Sequence, residues 1–298
     1  MALTAAILWG VSGTCAQFLF QHRGVNTEWL VTIRLLVSGT ILLSLAASKR
    51  AAGFRAIWRT PADSLGMLAF AILGILAVQY TYFAAINNSN AATATILQYL
   101  GPALIACYLA IRNRKPPTAI ETIAIASAML GTALIATHGD THKLSMSRPA
   151  FLWGIASAFA LAFYALQPVA LLKKWSASVV IGWGMFIGGV AFSFVHPPWQ
   201  TAGHWDMVAL AMLAFIILFG SFAAFYLFLT SVKILGSAES TLLACAEPLS
   251  AAILAVVWLH VSFSLCDWLG AALILTTILL LSLPAKNTAI GDEPLLVE

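Results

Sequence analysis

The sequence predicts an all-α polytopic membrane protein, in which ten transmembrane helices form two inverted five-helix repeats around a central cavity. Three observations predict this fold. The 298-residue chain is 61% hydrophobic and 9% charged, whereas soluble domains average about 45–50% apolar and about 25% charged residues. Apolar runs long enough to cross a bilayer recur along its length, and the second half repeats the pattern of the first. We therefore expect most of its surface to face lipid.

Ten apolar segments approach the roughly 20 residues that cross a hydrocarbon core of about 30 Å as a helix. The first lacks the basic start and the cleavage site of a signal peptide, so it is counted as a span. The predicted spans are Ala2 to Phe20, Trp29 to Ser48, Ser64 to Ile86, Ala91 to Ile111, Thr118 to Thr137, Pro149 to Leu172, Val179 to Val195, Met207 to Thr230, Ser237 to Leu259 and Ser264 to Leu283.

The distribution of basic residues predicts the orientation. With the N-terminus inside, eleven of the fifteen Lys and Arg residues fall in cytoplasmic segments and three in outer loops, while Arg34 lies within the second span. An excess of Lys and Arg marks cytoplasmic loops. The sequence therefore predicts a multi-pass protein of the inner (plasma) membrane with both termini in the cytoplasm.

Composition argues against several kinds of partner. The four cysteines lie in apolar runs without CxxC spacing, and the six histidines are scattered over predicted outer loops. Neither set has the spacing of a metal site or a disulfide framework. The basic residues form no dense patch that would bind nucleic acid. We expect no cofactor, no metal and no nucleic acid.

An internal repeat organises the chain. "ILWGVSGTCAQFL" in the first span matches "FLWGIASAFALAF" in the sixth, and "AAINNSNAATATILQYLGPALIACYLA" matches "TSVKILGSAESTLLACAEPLSAAILAV". This alignment predicts repeats at 1–140 and 141–284, followed by a cytoplasmic tail at 285–298. It pairs Trp9 with Trp153, Thr95 with Thr241, Tyr99 with Cys245 and Pro102 with Pro248.

An odd number of spans per repeat inverts the second repeat in the membrane. Inverted repeats are typical of secondary transporters, whose substrate sites lie near the midplane between the halves. Such symmetry suits alternating access, because the two halves can exchange conformations. Both repeats lie in one chain, so a monomer is expected.

Proline in the middle of a span removes a backbone donor and displaces the carbonyl four residues earlier. Pro102 displaces the carbonyl of Gln98, and Pro248 displaces that of Ala244. Freed backbone groups persist in a membrane only where protein or a water-filled cavity satisfies them. Either proline alone fits a structural kink equally well, but their matched positions favour hinges that gate the cavity.

Two charged residues lie inside spans. Glu247 precedes Pro248, and a carboxylate there costs about 2.5–3.5 kcal/mol on insertion scales, so such residues usually face a cavity. It is a candidate to bind a proton or an amine. The alternatives are a structural hydrogen bond to a neighbouring helix or a pair with Arg34. For Arg34 we favour a structural role, snorkelling to the interface or capping carbonyls.

Helical faces predict the walls of the cavity. Thr95, Tyr99 and Pro102 are spaced at i, i+4 and i+7, as are Thr241, Cys245 and Pro248, so each set lies along one stripe. Walls that mix aromatic, amide and hydroxyl groups with one carboxylate suit neutral or zwitterionic amphiphiles. The other candidates are Trp9, Ser12, Gln79, Tyr82, Gln98, Trp153, Ser157, Phe225, Phe228 and Glu247.

Catalysis is not indicated, because HExxH, GxSxG and phosphate-loop motifs are missing, as are His or paired-carboxylate clusters within the spans. A membrane-embedded enzyme is a remote alternative. Anionic substrates such as phosphates fit poorly, because they usually need several cationic groups.

Several segments resemble the EamA family of the drug/metabolite transporter superfamily. These are "ILWGVSG", "YFAAINNSNAATATILQYLGPALIACYLA", "ILGSAESTLLACAEPLSAAILAV" and "WLGAALILTTILLL". Within that family the chain looks most like the YddG type of aromatic amino-acid exporter. The resemblance implies a cavity formed by spans one to four and six to nine, with spans five and ten peripheral, and export of amino acids and related metabolites.

The chain departs from the family pattern at two places. Arg114 and His260 stand near positions where family members often have Gly-Glu. Gly10 stands where small multidrug carriers of the same superfamily have an essential glutamate. Either Glu247 substitutes for that carboxylate, or transport is facilitative. Amino-acid export is the favoured hypothesis, and efflux of cationic amphiphilic drugs is the alternative.

Overall fold

The computed structural model describes residues 1–48, 54–114, 116–137, 146–235, 243–244 and 246–282. Throughout these ranges every regular element is a helix. Six of the helices are long and apolar enough to cross a membrane, and four shorter apolar helices bring the number to the ten predicted spans. The predicted cavity residues Thr241 and Cys245, the first residues of span nine and the tail at 285–298 lie outside the described residues.

Several spans consist of more than one helix. Spans three and eight each contain a π-helical segment, at Phe70–Leu76 and Leu218–Ala223, and a short 3₁₀ helix, Ala56–Trp58, precedes span three. The helices in chain order are α1 (Ala2–Arg23), α2 (Thr27–Ser48), α3 (Pro61–Ala69), α4 (Ala77–Asn88), α5 (Ala91–Gln98), α6 (Gly101–Arg112), α7 (Ala119–Thr137), α8 (Arg148–Leu166), α9 (Val169–Leu172), α10 (Ala177–Ser193), α11 (Met207–Ile217), α12 (Ala224–Leu235), α13 (Ala246–Val257) and α14 (Leu265–Ser282).

Helices α2 and α10 pack closely and run antiparallel, because glycines let their backbones approach. A Cβ atom on Gly39 would lie 2.8 Å from the Cα of Phe186, and one on Gly189 would lie 2.8 Å from the backbone nitrogen of Leu36. Helices α7 and α14 are also antiparallel, with Gly131 against Gly270 at their crossing. Small residues of this kind permit close helix packing in membranes. The second and seventh spans therefore run in opposite directions, as do the fifth and tenth.

The sequence predicted span four as one bent helix, but the structure shows an interrupted one. Helix α5 ends at Gln98, and α6 begins at Gly101 with Pro102 in its first turn. Because proline has no N–H, the helix cannot continue its hydrogen bonds through this point. The amide of Tyr99 instead bonds to the carbonyls of Thr95 and Ile96, which tightens the end of α5. The sequence therefore predicted the disturbance at Pro102 in the right place, but it predicted a bend where the structure has a break between two helices.

The π-helical segments were not predicted, and they occupy matching places in the two halves. Gln79 lies three residues after the first segment and Phe225 two residues after the second, and the sequence alignment pairs these two residues. A π segment inserts a residue and disturbs the helical hydrogen bonds, and such segments are frequent at functional sites. Both discontinuities lie in spans that contribute predicted cavity residues.

Helix α1 is central in the bundle. It contacts α13, α11, α12, α4 and α5, so it touches helices of both halves. Its buried residues include the small Gly10, Ser12 and Gly13, which face different neighbouring helices. Small side chains allow other helices and their polar groups to come close to the α1 backbone. Helix α1 thus positions the groups described next.

Candidate functional site

The Tyr99 hydroxyl joins the two proline-containing spans. Its Oη atom donates to the backbone carbonyl of Ala244 and to Oε2 of Glu247, each at 3.0 Å. The Ala244 carbonyl is the one that Pro248 deprives of its helical donor. Tyr99 itself stands directly after the end of α5. A side chain at the break in span four therefore satisfies the backbone group freed by the proline of span nine.

Glu247 is half-buried and lies against α1. A Cβ atom on Gly10 would lie 2.8 Å from the Glu247 carbonyl oxygen and would also collide with Ser250 Oγ. The Ser250 hydroxyl donates to that same carbonyl at 2.8 Å. Only a glycine at position 10 lets α1 approach this closely. The backbone of Glu247 thus lies beside the position where the resemblance places the essential glutamate of small multidrug carriers.

Arg34 is buried, with 5% of its surface exposed, and it does not snorkel to an interface. Its Nε donates to Ser221 Oγ at 2.7 Å, and its Nη2 donates to the Gly220 carbonyl at 3.2 Å. Both acceptors belong to the second π segment, where Ser221 Oγ also donates to the Ile216 carbonyl at 3.0 Å. Of the two structural roles expected for Arg34, its contacts fit the capping of a carbonyl, and that carbonyl, of Gly220, lies in span eight.

Tyr82 and Thr95 form a buried polar contact between spans three and four. Their hydroxyl oxygens are 2.8 Å apart. Thr95 donates to the Ala91 carbonyl at 2.7 Å, so the Tyr82 hydroxyl supplies the proton of the shared bond. A Cβ atom on Gly13 would lie 2.7 Å from the Tyr82 hydroxyl oxygen. This contact therefore lies directly against α1, one helical turn from Tyr99.

Two aromatic clusters include the paired tryptophans. The ring centroid of Trp9 is 5.3 Å from those of Phe225 and Phe228. The Trp153 centroid is 5.3 Å from that of Tyr80, a neighbour of Gln79 in sequence. Contacts at these distances are favourable for aromatic pairs. Span one thus meets span eight, and span six meets span three, which are corresponding pairs in the two halves.

The remaining predicted residues are placed less centrally by their contacts. Ser157 is buried, but its hydroxyl donates to the Gly154 carbonyl of its own helix at 2.8 Å. Ser12 is 2% exposed and packs on Gly220, and its hydroxyl has no hydrogen-bond partner in the described part of the chain. Gln98 is 9% exposed and Gln79 is half-buried.

Two polar residues escaped the sequence analysis. Gln17 is 1% exposed, and its Oε1 accepts from the amide of Ala91, the first residue of α5, at 2.8 Å. Glu28 accepts from the hydroxyl of Tyr80 at 3.1 Å. An amide within the first span and a carboxylate at the start of the second were visible in the sequence. Their partners were not, because each lies on a distant span.

The end of the bundle at which α1 terminates, here called the Arg23 end, is held by several contacts. Arg23 forms an ion pair with Asp206 at 2.9 Å, and its carbonyl accepts from the amide of His204 at 2.7 Å. Asp206 also caps α11 by accepting from the Ala209 amide at 2.8 Å. The Ala209 amide and the Arg23 guanidinium lower the pKa of the Asp206 carboxyl.

These features define a class of protein. An interrupted helix and π segments within apolar spans, with carbonyls satisfied by side chains of other spans, are typical of membrane transporters. The comparison with protein families agrees: the model of the EamA-like transporter family matches residues 1–137 and again residues 148–283. The chain belongs to the EamA-like transporter family, within the drug/metabolite transporter superfamily.

Individual relatives and structures agree with this assignment. The chain is 39% identical over 290 residues to the uncharacterized inner membrane transporter YicL of Salmonella typhimurium (strain LT2), covering 96% of this chain and 95% of that one. It is 24% identical over 284 residues to the uncharacterized transporter YwfM of Bacillus subtilis (strain 168), covering 94% and 92%. A solved crystal structure of a protein with 19% identity matches with a TM-score of 0.65 over 96% of this chain and 97% of its own. The chain is a multi-pass transporter of the inner membrane.

Proposed function

We propose that this transporter exports amino acids, chiefly aromatic and hydrophobic ones, and related metabolites by alternating access. The observation that carries the proposal is the Tyr99 bridge to Ala244 and Glu247, which joins a carboxylate and a freed carbonyl of span nine to the break in span four. Both groups accept hydrogen bonds, as the ammonium group of an amino acid requires. The aromatic clusters nearby offer apolar surface for its side chain.

Two findings support an inverted duplication, with repeats at 1–140 and 141–284. The family model matches the chain twice, once in each proposed repeat. The second and seventh spans run antiparallel, as do the fifth and tenth, and equivalent helices of inverted repeats must run in opposite directions. Under this proposal the matched prolines, Pro102 and Pro248, and the two π segments are the hinges about which the halves rock. A monomer suffices, because one chain holds both halves.

With both termini in the cytoplasm, the Arg23 end faces outward. There α1 is tied to α5 by Gln17 and to the start of α11 by Arg23 and Asp206. We propose that these contacts close the outer side of the pathway. Alternating access then requires them to part when substrate leaves.

Efflux of cationic amphiphiles is a second candidate function, and one observation favours it. The backbone of Glu247 packs against Gly10, the position of the essential glutamate in the small multidrug carriers that the sequence resembles. Under this candidate the carboxylate of Glu247, on the helix that packs there, binds the hydrophobic cation and couples transport to protons. This candidate predicts that Glu247 is indispensable and that amino acids are poor substrates.

Transport into liposomes tests the two candidates. The purified protein is reconstituted into vesicles loaded with unlabelled amino acids, and uptake of labelled phenylalanine, methionine and threonine is followed with and without a pH gradient. Saturable counterflow supports amino-acid export. Its absence, together with efflux of cationic dyes that Glu247→Gln abolishes, refutes amino-acid export and supports the second candidate.

The same assay separates the coupling modes. Counterflow that ignores both the gradient and Glu247→Gln indicates facilitative transport and a structural glutamate. Uptake that the gradient drives, and that the variant loses, makes Glu247 the coupling group.

A further inference from the structure

A cavity of about 270 Å³ opens at the Arg23 end of the bundle. Its position follows from Ser89, which lines the cavity and whose carbonyl accepts from Gln21, near the end of α1, at 2.9 Å. The described residues of its walls are Asn88, Ser89, Asn90, Thr93, Ile135, Met146, Ser147, Ser262, Phe263 and Asp267. None of these belongs to the predicted central cavity. At about 30 Å³ for each water molecule, the space holds about nine, which is the size of a small organic molecule rather than of a single ion.

Thr93 lines the cavity with a hydroxyl that its own helix does not satisfy. The residue is 8% exposed, and its hydroxyl makes no hydrogen bond within the part of the chain that the structure describes. Thr95, two residues further on, donates to the carbonyl four residues earlier. Thr93 is in the first turn of α5, so the corresponding residue, Ser89, precedes the helix. A buried hydroxyl without a partner is unfavourable, and a ligand in the cavity can supply that partner.

Two asparagines in the same wall offer further polar atoms. Asn88 Nδ2 donates to the Ala84 carbonyl, and Asn90 Oδ1 accepts from the Thr93 amide, each at 2.8 Å. Each bond uses one end of the side-chain amide. The other ends, Oδ1 of Asn88 and Nδ2 of Asn90, have no hydrogen-bond partner among the residues described. The cavity wall therefore contains an acceptor, a donor and the Thr93 hydroxyl for a polar ligand.

The charge of the cavity wall is negative. Of the wall residues that the structure describes, Asp267 is the only charged one, and it is 5% exposed. Its Oδ2 accepts from the amide and the hydroxyl of Ser264, each at 2.8 Å, and both donors are neutral, so the carboxylate keeps its charge. Phe263 and Met146 give the same wall apolar surface, and an aromatic face also attracts cations. These features suit a cation that carries an apolar group.

We propose that this cavity, here called the Asp267 cavity, binds a small organic ammonium compound, with the ammonium group against Asp267 and the apolar group against Phe263. The proposal goes beyond the proposed function, because it concerns a second binding site whichever substrate the central pathway carries. A hydrogen bond to a charged group contributes more than one between neutral groups. Because the cavity is open to water, we expect the amine to bind only about tenfold more tightly than a neutral molecule of the same shape.

The turn between α4 and α5 connects the Asp267 cavity with α1. Ser89 and Asn90 line the cavity, whereas the Ser89 carbonyl accepts from Gln21 and the Ala91 amide donates to Gln17. A ligand in the cavity therefore contacts a turn that α1 holds from its other side. Under the proposed orientation this end faces outward, so the site meets ammonium compounds where export releases them. That last point alone rests on the proposed function.

Protection of a cysteine from a thiol reagent tests the proposal on the full chain in detergent. Ser262→Cys places a thiol in an exposed part of the cavity wall, and its reaction with a maleimide is followed above the background of the unaltered protein. The ligands are phenethylamine, 2-phenylethanol and 3-phenylpropanoate, which share the ring and differ in charge. Half-protection should need about ten times less phenethylamine than alcohol, and the acid should protect least. Ser48→Cys, at the exposed end of α2, is the control and should react equally fast with and without ligand.

Two further variants, each combined with Ser262→Cys, locate the ligand. Asp267→Asn keeps an oxygen that can cap α14 and removes the charge, so the preference for the amine over the alcohol should disappear. Thr93→Val keeps the shape of a side chain whose hydroxyl has no partner in the described chain, so the fold should persist while protection by the amine weakens about 2–10-fold. Equal protection by amine and alcohol in the Ser262→Cys protein, no protection by the amine, or protection that neither variant changes would each overturn the proposal. The test measures binding alone, so a failure of amino-acid counterflow leaves its result unaffected.

Discussion

Removal of one oxygen atom, in Tyr99→Phe, isolates the bridge between the two proline-containing spans. The variant keeps the ring and its packing but leaves the Ala244 carbonyl and Glu247 Oε2 without their shared donor. Ala244 is 7% exposed, so water has little access to its carbonyl. An unsatisfied buried acceptor costs about 1–3 kcal/mol. Glu247 is half-buried and adds little to this, because water can replace the donor there.

A loss of about 1–3 kcal/mol corresponds to a fall of about 2–6 °C in the unfolding midpoint for a chain of this size. The assay is thermal unfolding of the purified protein in detergent, and size-exclusion chromatography measures the fraction that stays folded at each temperature. Tyr226→Phe is the matched control, because Tyr226 is 57% exposed and its hydroxyl has no partner among the described residues. We expect the control to shift by less than about 1 °C. Equal midpoints for the two variants would refute the assignment of the bridge as a satisfied, buried contact.

Three further predictions concern the contacts around α1 and the Arg23 end. Gly10→Ala places a methyl group against the α13 backbone, and overpacking of this kind costs about 1–3 kcal/mol, so we expect reduced transport and a lower unfolding midpoint. The control is Gly66→Ala, whose new Cβ would lie 3.7 Å from its nearest neighbour, an ordinary contact, and which should be neutral or slightly stabilising. Ser221→Ala removes the hydroxyl that accepts from Arg34 and donates to the Ile216 carbonyl, and it should lower the unfolding midpoint by a few degrees. Ser48→Ala, at the exposed end of α2, is its control. Asp206 has a lowered pKa, so its stabilising effect is present above the ordinary aspartate pKa of about 3.9 and is lost as pH falls through the lower folded-state value. The unfolding midpoint of the unaltered protein should therefore fall more steeply below about pH 4 than that of Asp206→Asn. Parallel curves of midpoint against pH for the two proteins would contradict this.

The helical spans could be predicted from sequence because lipid leaves the backbone few choices. A chain that must satisfy its own peptide groups inside a membrane forms helices, so apolar length suffices to place them. The place of the break at Pro102 was also foreseeable, since the missing N–H acts locally, although a bend was expected rather than a break. The alignment of Pro102 with Pro248 likewise predicts that the Ala244 carbonyl lacks its helical donor, and in the structure the Tyr99 hydroxyl donates to that carbonyl.

The contacts that complete the site were not foreseeable, because they depend on how distant helices are rotated against each other. Tyr99 aligned with Cys245, and nothing local indicated that its hydroxyl reaches the opposite half. The π segment at Leu218–Ala223 likewise has no marker in its own sequence, since the side chain that donates to its Gly220 carbonyl and its Ser221 hydroxyl is Arg34 of span two. Gln17 was missed for a simpler reason: a single amide in an apolar run was passed over.

The Ala244 and Gly220 carbonyls, both in the second half of the chain, are satisfied in the same way, and this relates stability to the proposed motion. Tyr99 in the first half serves the Ala244 carbonyl in the second, and Arg34 in the first half serves the Gly220 carbonyl in the second. Each contact therefore crosses between the two halves that, under the proposed alternating access, move relative to each other. Separating them exposes a carbonyl that costs about 1–3 kcal/mol unless another donor replaces the first. An ammonium group or a water molecule is such a donor. Under the proposed mechanism, a substrate whose ammonium group replaces the lost donor therefore lowers the barrier to the rearrangement that releases the substrate.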